Sequence, residues 1–224
     1  GANIGYYALM ELNLIGETGS LIAVEPSPSN VKLLKKNLAL NGYTDVEVHN
    51  AAVSDVSGER DFHLSSMSNL NTFHDVGSGI EHLSGESVEV TTLTVPEIMR
   101  GRPLNLIRMD VEGHEVEVLN GLLPSIERGE TSPIIIFETH LTRYSPDHDI
   151  TATLKRLFKA GYKAKSVGSS SKFGSQKLQE RNYTGGKDIE SDGDVRKIFK
   201  NISDEHVIEL IGSVGGIRTI LLAK

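Results

Sequence analysis

Three short apolar runs, IAVE (22–25), LNLIRMD (104–110) and PIIIFETH (133–140), each close on an acid or an acid and a histidine, and a helix-period segment follows each. That alternation constrains the fold more than any other feature. Runs this short and this continuously apolar read as strands buried on both faces, and parallel strands of that kind need helical crossovers. The pattern predicts an α/β chain with a mainly parallel sheet covered on both sides. Sheets of this type bind ligands at the carboxyl ends of their strands. Glu25, the Asn50-Ala51 turn, Asp110 and the Glu138/His140 pair are therefore the residues to weigh.

The rest of the chain keeps the rhythm. SNVKLLKKNLALNG places Val31, Leu34 and Leu38 on one helical face and stops at Asn41-Gly42. DVEVHNAAV reads as a strand, SDVSGERDF as a hairpin, and SVEVTTLTV alternates like a strand. Val116, Leu119 and Leu122 mark one helix, and Leu154, Leu157 and Phe158 another that stops at Gly161. YKAKSVG and GIRTILLAK are further strands. Two segments break the pattern: 65–87 is Ser-, Asn- and Gly-rich, and 168–194 is polar throughout. Both are expected to be loop or lid insertions in a single domain spanning 1–224.

Composition narrows the function. The chain has 224 residues, no cysteine and a formal net charge of −7. Disulfides, thiolate zinc sites and cysteine nucleophiles are excluded together. The acidic balance argues against a nucleic-acid partner, which needs a basic surface. No apolar run is long enough to span a bilayer and no signal peptide is visible, so a cytoplasmic location is expected.

The opening GANIG turn lets backbone approach a ligand, but its spacing is not that of a dinucleotide fingerprint, and alone it reads as a packing turn. Glu25 changes that reading. A carboxylate at a strand end, about 20 residues beyond a glycine turn, is placed to accept hydrogen bonds from ribose hydroxyls. RMDVEGHEVEVLNG then carries Asp110, Glu112 and His114 at alternate positions, and FETH adds Glu138 and His140. These groups can orient a cation, take up a proton or hold a divalent metal. Glu112 and His114 are also compatible with an ordinary solvated helix start.

In that order, GANIGYYAL, IAVEPSPSNVKLLKKNLALNG, VHNAAVSDVSGE, VTTLTV, NLIRMDVEGHEVEVLNG and PIIIFETH resemble the FkbM family of S-adenosylmethionine-dependent methyltransferases, with DVEGHEVEVLNG the most specific block. The resemblance implies the class I methyltransferase fold, a Rossmann-like three-layer sandwich. Its seven-stranded sheet ends on an antiparallel strand, making YKAKSVG and GIRTILLAK the final antiparallel pair. It implies S-adenosylmethionine as cofactor. Gly1, Asn3 and Gly5 would cradle the methionine end, and Glu25 would hold the ribose, with Pro26 fixing the exit of the chain. Asn50 and Ala51 would flank the adenine, and Asp110 would lie near the reaction centre. The family's strand before the glycine turn is absent here, so the natural chain is expected to extend upstream.

The resemblance further implies O-methylation of a hydroxyl on a sugar, glycan or secondary metabolite. A hydroxyl needs a base within reach, and His140 or His114 fits, with Asp110, Glu112 and Glu138 positioning acceptor and cofactor. A magnesium-assisted version through Asp110, Glu112 and Glu138 is the less favoured alternative, and no metal is expected. Arg143, Tyr144 and His148 are candidates to meet a sugar ring. Two other readings stay open: a nicotinamide-dependent oxidoreductase and a non-catalytic binding domain of the same fold.

Overall fold

The computed structural model describes residues 1–16, 18–65, 71–73 and 83–224, with the backbone alone described at 83–86. Two units divide the chain, Gly1–Ile98 and Met99–Lys224.

In the first unit, helix α1 (Tyr6–Ile15) begins at Gly5, whose left-handed φ of 94° turns the chain into the helix. A Cβ at Gly5 would lie 2.7 Å from Leu34 Cδ1, so glycine is required there for both backbone and space. Strand β1 (Ile22–Val24) leads to helix α2 (Pro28–Leu40), and β2 (Glu47–His49) returns to pair with β1 in parallel. Ser27 caps α2 through its Oγ and Pro28 occupies the first turn, a favoured start. Val31, Leu34 and Leu38 are buried on the face read from the sequence, and Leu34 and Leu38 form a core with Ala8 and Ala23. Strands β3 (Ala52–Val53), β4 (Gly58–Ser65) and β5 (Leu83–Leu93) form a second sheet with β5 in the middle. β3 is parallel to β5 and β4 antiparallel to it. SDVSGERDF is thus not a hairpin: the strands on its two sides pair with β5 rather than with each other. Helix α3 (Val95–Met99) follows β5.

The second unit holds β6 (Leu106–Met109), helix α4 (Glu115–Glu127), β7 (Ile134–Glu138), helix α5 (Ile150–Lys159), β8 (Lys163–Ser169) and helix α6 (Lys172–Glu180). Strands β9 (Ile189–Ser191), β10 (Asp194–Arg196) and β11 (Ile198–Lys200), helix α7 (Asp204–Gly212) and β12 (Ile217–Ala223) complete it. Its five-stranded sheet has the order β11-β8-β12-β7-β6. β6 and β7 are parallel, joined by the α4 crossover, while β12 runs antiparallel between β7 and β8. Ile135, Phe137, Leu119, Leu154, Leu210 and Ile220 are each fully buried, and each such side chain contributes about 1.5–3 kcal/mol of burial.

The antiparallel partnership of YKAKSVG and GIRTILLAK is present as β8 and β12. The chain is a mixed α/β protein, but the expectation of one mainly parallel sheet needs correction. The described strands fall into four sheets, and antiparallel pairs outnumber parallel ones, because β4, β11 and β12 all oppose their neighbours. Segment 168–194 is also not a loop. Ser171 caps α6, and β9 and β10 form a hairpin around Asp192 and Gly193, both with positive φ. Of 65–87, residues 83–87 belong to β5, and most of the remainder lies outside the described residues. Among the described residues no helix is long and apolar enough to cross a membrane.

Candidate functional site

Each unit places its own share of the candidate residues. In the first, Ala2 N donates to Val24 O and Gly5 N to Ala2 O, which folds the glycine turn back onto β1. Asn3, at φ 47°, donates its N–H to Glu25 Oε2 at 2.8 Å. Glu25 is almost fully buried, and its Oε1 accepts from Ser27 N and Asn30 Nδ2 at 3.1 and 3.2 Å. Three protein donors therefore occupy a carboxylate with about four acceptor positions. Asn50 Nδ2 donates to the carbonyls of Glu25 and Pro26, pinning the end of β2 to the exit of β1. Ala51 is buried, Gly1 is exposed, and the Asn3 Oδ1 is buried with no hydrogen-bond partner among the described residues. Asn3, Glu25, Pro26 and Asn50 are thus brought together.

In the second unit, the parallel register sets the geometry. Met109 lies opposite Phe137, so Asp110 and Glu138 leave adjacent strands side by side. After Asp110 the chain turns sharply, with Glu112 at φ 51° and Gly113 at 102°, and enters α4 at Glu115. The turn swings Glu112 toward the end of β7. His140 Nε2 lies 3.6 Å from Asp110 Oδ1 and 3.7 Å from Glu112 Oε1, and its Nδ1 is 2.9 Å from Glu115 Oε1. Burial opposes protonation of His140, but the Glu115 hydrogen bond and the charges of Glu115, Glu112 and Asp110 outweigh it and push the imidazole up to about 9. Burial likewise raises the Glu112 carboxyl above its ordinary range, with His140 opposing and Asp110 adding to the rise. Glu138 is raised by burial and then by Asp110, while Arg218 opposes the shift through a 2.9 Å hydrogen bond from Nε. One ligand atom each from Asp110, Glu112 and His140 lies within 4.8 Å of the others, a set able to hold a metal ion. Glu138 is engaged with Arg218 and is not part of that set.

His114 belongs elsewhere. It is buried at the start of α4, its Nδ1 3.2 Å from Glu117 Oε2, and the other Glu117 oxygen meets His148 Nδ1 at 3.0 Å. His148 Nε2 donates to Gly113 O. The hydrogen bond to Glu117 raises His148 above its ordinary value, with burial opposing. Tyr144 is turned inward as well: its hydroxyl contacts Glu115 Oε2 and accepts from His140 N. Tyr144 and His148, read from the sequence as candidates for a sugar ring, are engaged with Glu115, Glu117 and the Gly113 carbonyl.

Residues 1–164 match the sequence family described as the methyltransferase FkbM domain. The chain belongs to that family. Across 140 residues it is 24% identical to Methyltransferase 1 of Beauveria bassiana (strain ARSEF 2860), a match covering 54% of this chain and 56% of that protein. The chain thus spans about half the length of the curated relative it matches. No solved structure gives a significant match.

In this FkbM-family chain, the sequence reading missed the residues that hold others in place. Ser27 and Asn30 engage Glu25, Arg218 engages Glu138, and Glu115 with Tyr144 engages His140. Glu115 had a readable signal. It shares the helical spacing of Val118, Leu119 and Leu122, all buried, and so lies on the apolar stripe of α4.

Proposed function

We propose that this chain transfers a methyl group from S-adenosylmethionine to a hydroxyl of a sugar, glycan or secondary metabolite, with His140 receiving the hydroxyl proton. The observation that carries the reading is the position of His140 Nε2 against Asp110 and Glu112 while Nδ1 is held by Glu115. Features of the first unit support such a cofactor: Asn3 Oδ1 is a buried acceptor without a hydrogen-bond partner among the described residues, and Gly5 keeps the turn free of side chain. When bound, S-adenosylmethionine supplies an electrophilic methyl group on a sulfonium.

In the first unit, the cofactor-binding role falls to Gly1, Asn3, Gly5, Glu25, Pro26, Asn50 and Ala51. In the second, Asp110 and Glu112 orient a cationic group and His140 handles the proton. The free protein holds a proton on His140 at neutral pH because of the acids around it. Positive charge beside Asp110 and Glu112 weakens that hold, leaving Nε2 able to accept a proton from a hydroxyl. Glu138, neutralised by Arg218, closes the acidic end of β7. His114, paired with Glu117, stiffens the start of α4 rather than acting as base.

The test is to incubate the chain with methyl-labelled S-adenosylmethionine and a panel of glycans and hydroxylated metabolites, alongside His140→Ala. Labelled ether product from the wild type, reduced on the order of 10²-fold or more in the variant, is expected. Binding of NAD but not of S-adenosylhomocysteine in calorimetry would replace this reading with a hydride-transfer one. Binding of S-adenosylhomocysteine with no transfer to any acceptor would leave a binding domain.

A further inference from the structure

His140 is held at two places, and the two groups that hold it also meet each other. Its Nδ1 meets Glu115 Oε1 at 2.9 Å, its backbone N–H donates to Tyr144 Oη at 3.1 Å, and Tyr144 Oη lies 3.4 Å from Glu115 Oε2. Glu115 has no solvent exposure. A carboxylate in that position must be compensated, and a helix start alone does not require it, since a short polar side chain at the cap serves with less desolvation. Glu115 also accepts weakly from the N–H groups of Val111 and Gly113 at 3.4 and 3.3 Å, which ties it to the turn that carries Glu112. The carboxylate thus joins the turn after β6, the first turn of α4 and the residue after β7.

Resting on the methyl-transfer reading above, we infer that Glu115, clamped by Tyr144, is the positioning residue that fixes which imidazole nitrogen of His140 faces the reacting hydroxyl. A carboxylate only accepts, so the nitrogen beside Glu115 carries hydrogen. When His140 gives up its second proton, the hydrogen stays on Nδ1, and the lone pair is left on Nε2, on the side of Asp110 and Glu112. Burial and the neighbouring Glu115 charge push the Tyr144 hydroxyl far above its ordinary value, so it remains a donor and cannot release Glu115 by ionising. The groups facing His140 are Asp110 after β6, Glu112 in the turn, Glu115 on α4, Glu138 on β7 and Tyr144 beyond the 3-10 turn Leu141–Arg143. Of these, only Glu115 contacts Nδ1 among the contacts described. This is the logic of a base oriented by a third group.

Nitrogen NMR of the ring in the wild-type chain, titrated to high pH, tests the inference without any turnover. The Nδ1–H tautomer of neutral His140 is expected, and the Nε2–H tautomer would overturn it. Glu115→Gln is expected to lower the His140 titration midpoint and to reduce kcat on the order of 10²-fold with little change in affinity for S-adenosylhomocysteine. Glu115→Asp, which keeps the charge, should recover part of both. Tyr144→Phe should lose less than Glu115→Gln. Should Glu115→Gln fail to fold, the wild-type tautomer still decides. A folded Glu115→Gln with unchanged midpoint and unchanged pH–rate profile would reduce Glu115 to a packing role. Absence of methyl transfer together with the Nδ1–H tautomer would sink the proposed function and leave the positioning intact.

Discussion

Arg218 Nε donates to Glu138 Oε1 at 2.9 Å across the β7–β12 pair, and the same guanidinium reaches Asp192 Oδ2 at 2.7 Å. Arg218 therefore links the tip of the β9–β10 hairpin to the acidic end of β7. Burial already raises Glu138, and Arg218 restrains the rise. Arg218→Met should raise it further, so that the folded state favours the protonated acid more strongly. Stability relative to wild type should then fall as pH climbs from the ordinary carboxylate range to neutrality. A loss of about 1–2 kcal/mol is expected at pH 7.5, shrinking at pH 4, by urea unfolding.

His140 gives the opposite kind of pH signature. The folded chain keeps it protonated up to about 9, against an ordinary value of 6.5. Its contribution is complete below about 6.5 and disappears as pH rises through about 9. The stability difference between wild type and His140→Gln should narrow over that window by up to about 3 kcal/mol. A difference independent of pH between 6 and 10 would show that the imidazole is not held charged.

Asn3 Oδ1 is buried without a hydrogen-bond partner among the described residues, and its backbone has positive φ. Asn3→Gly removes the oxygen while keeping that conformation accessible. Affinity for S-adenosylhomocysteine should weaken about 5- to 10-fold, the loss of one hydrogen bond. Thermal stability should change little. Unchanged affinity in calorimetry would remove Asn3 from the cofactor site.

Gly5 and Gly42 both have positive φ, yet only Gly5 would bring a Cβ against a neighbour, Leu34 Cδ1. Gly42→Ala should cost about 1 kcal/mol of backbone strain alone. Gly5→Ala should cost about 1–2 kcal/mol more, because Leu34 belongs to the core of the first unit. Parallel chemical denaturation of the two variants makes the comparison.

Exhaustive chelation should leave methyl transfer unchanged. Asp110, Glu112 and His140 have metal-binding spacing, but Glu115 already holds His140 Nδ1, and the proposed proton transfer at Nε2 needs that nitrogen free of an ion. A loss of activity on chelation, restored by Mg²⁺ or Mn²⁺, would make the trio a metal centre instead.

The strands themselves and the buried face of α2 were legible because each depends on local periodicity, whereas the β8–β12 pairing came only from the family resemblance. Asp110, Glu138 and His140 were legible because strand ends project residues in a known direction. His114 lies beside Glu117 rather than His140 for a physical reason. Alternation was carried past Asp110, but the turn at Glu112 and Gly113 breaks it, sending His114 to Glu117 and Glu115 to His140. The polarity of 168–194 points to a loop or lid insertion, yet the segment holds α6 and the β9–β10 hairpin. Three strand residues of β9 are all exposed, so a hairpin there can be polar and still ordered.

β12 is the last strand in chain order, yet it separates β7 from β8 in the sheet. During synthesis, β7 and β8 both emerge well before the strand that joins them. Until Ile217–Ala223 arrives, each presents an open edge of backbone N–H and C=O groups that β12 later pairs. Ile217–Ala223 therefore closes two edges at once, and the sheet is complete only when it is in place.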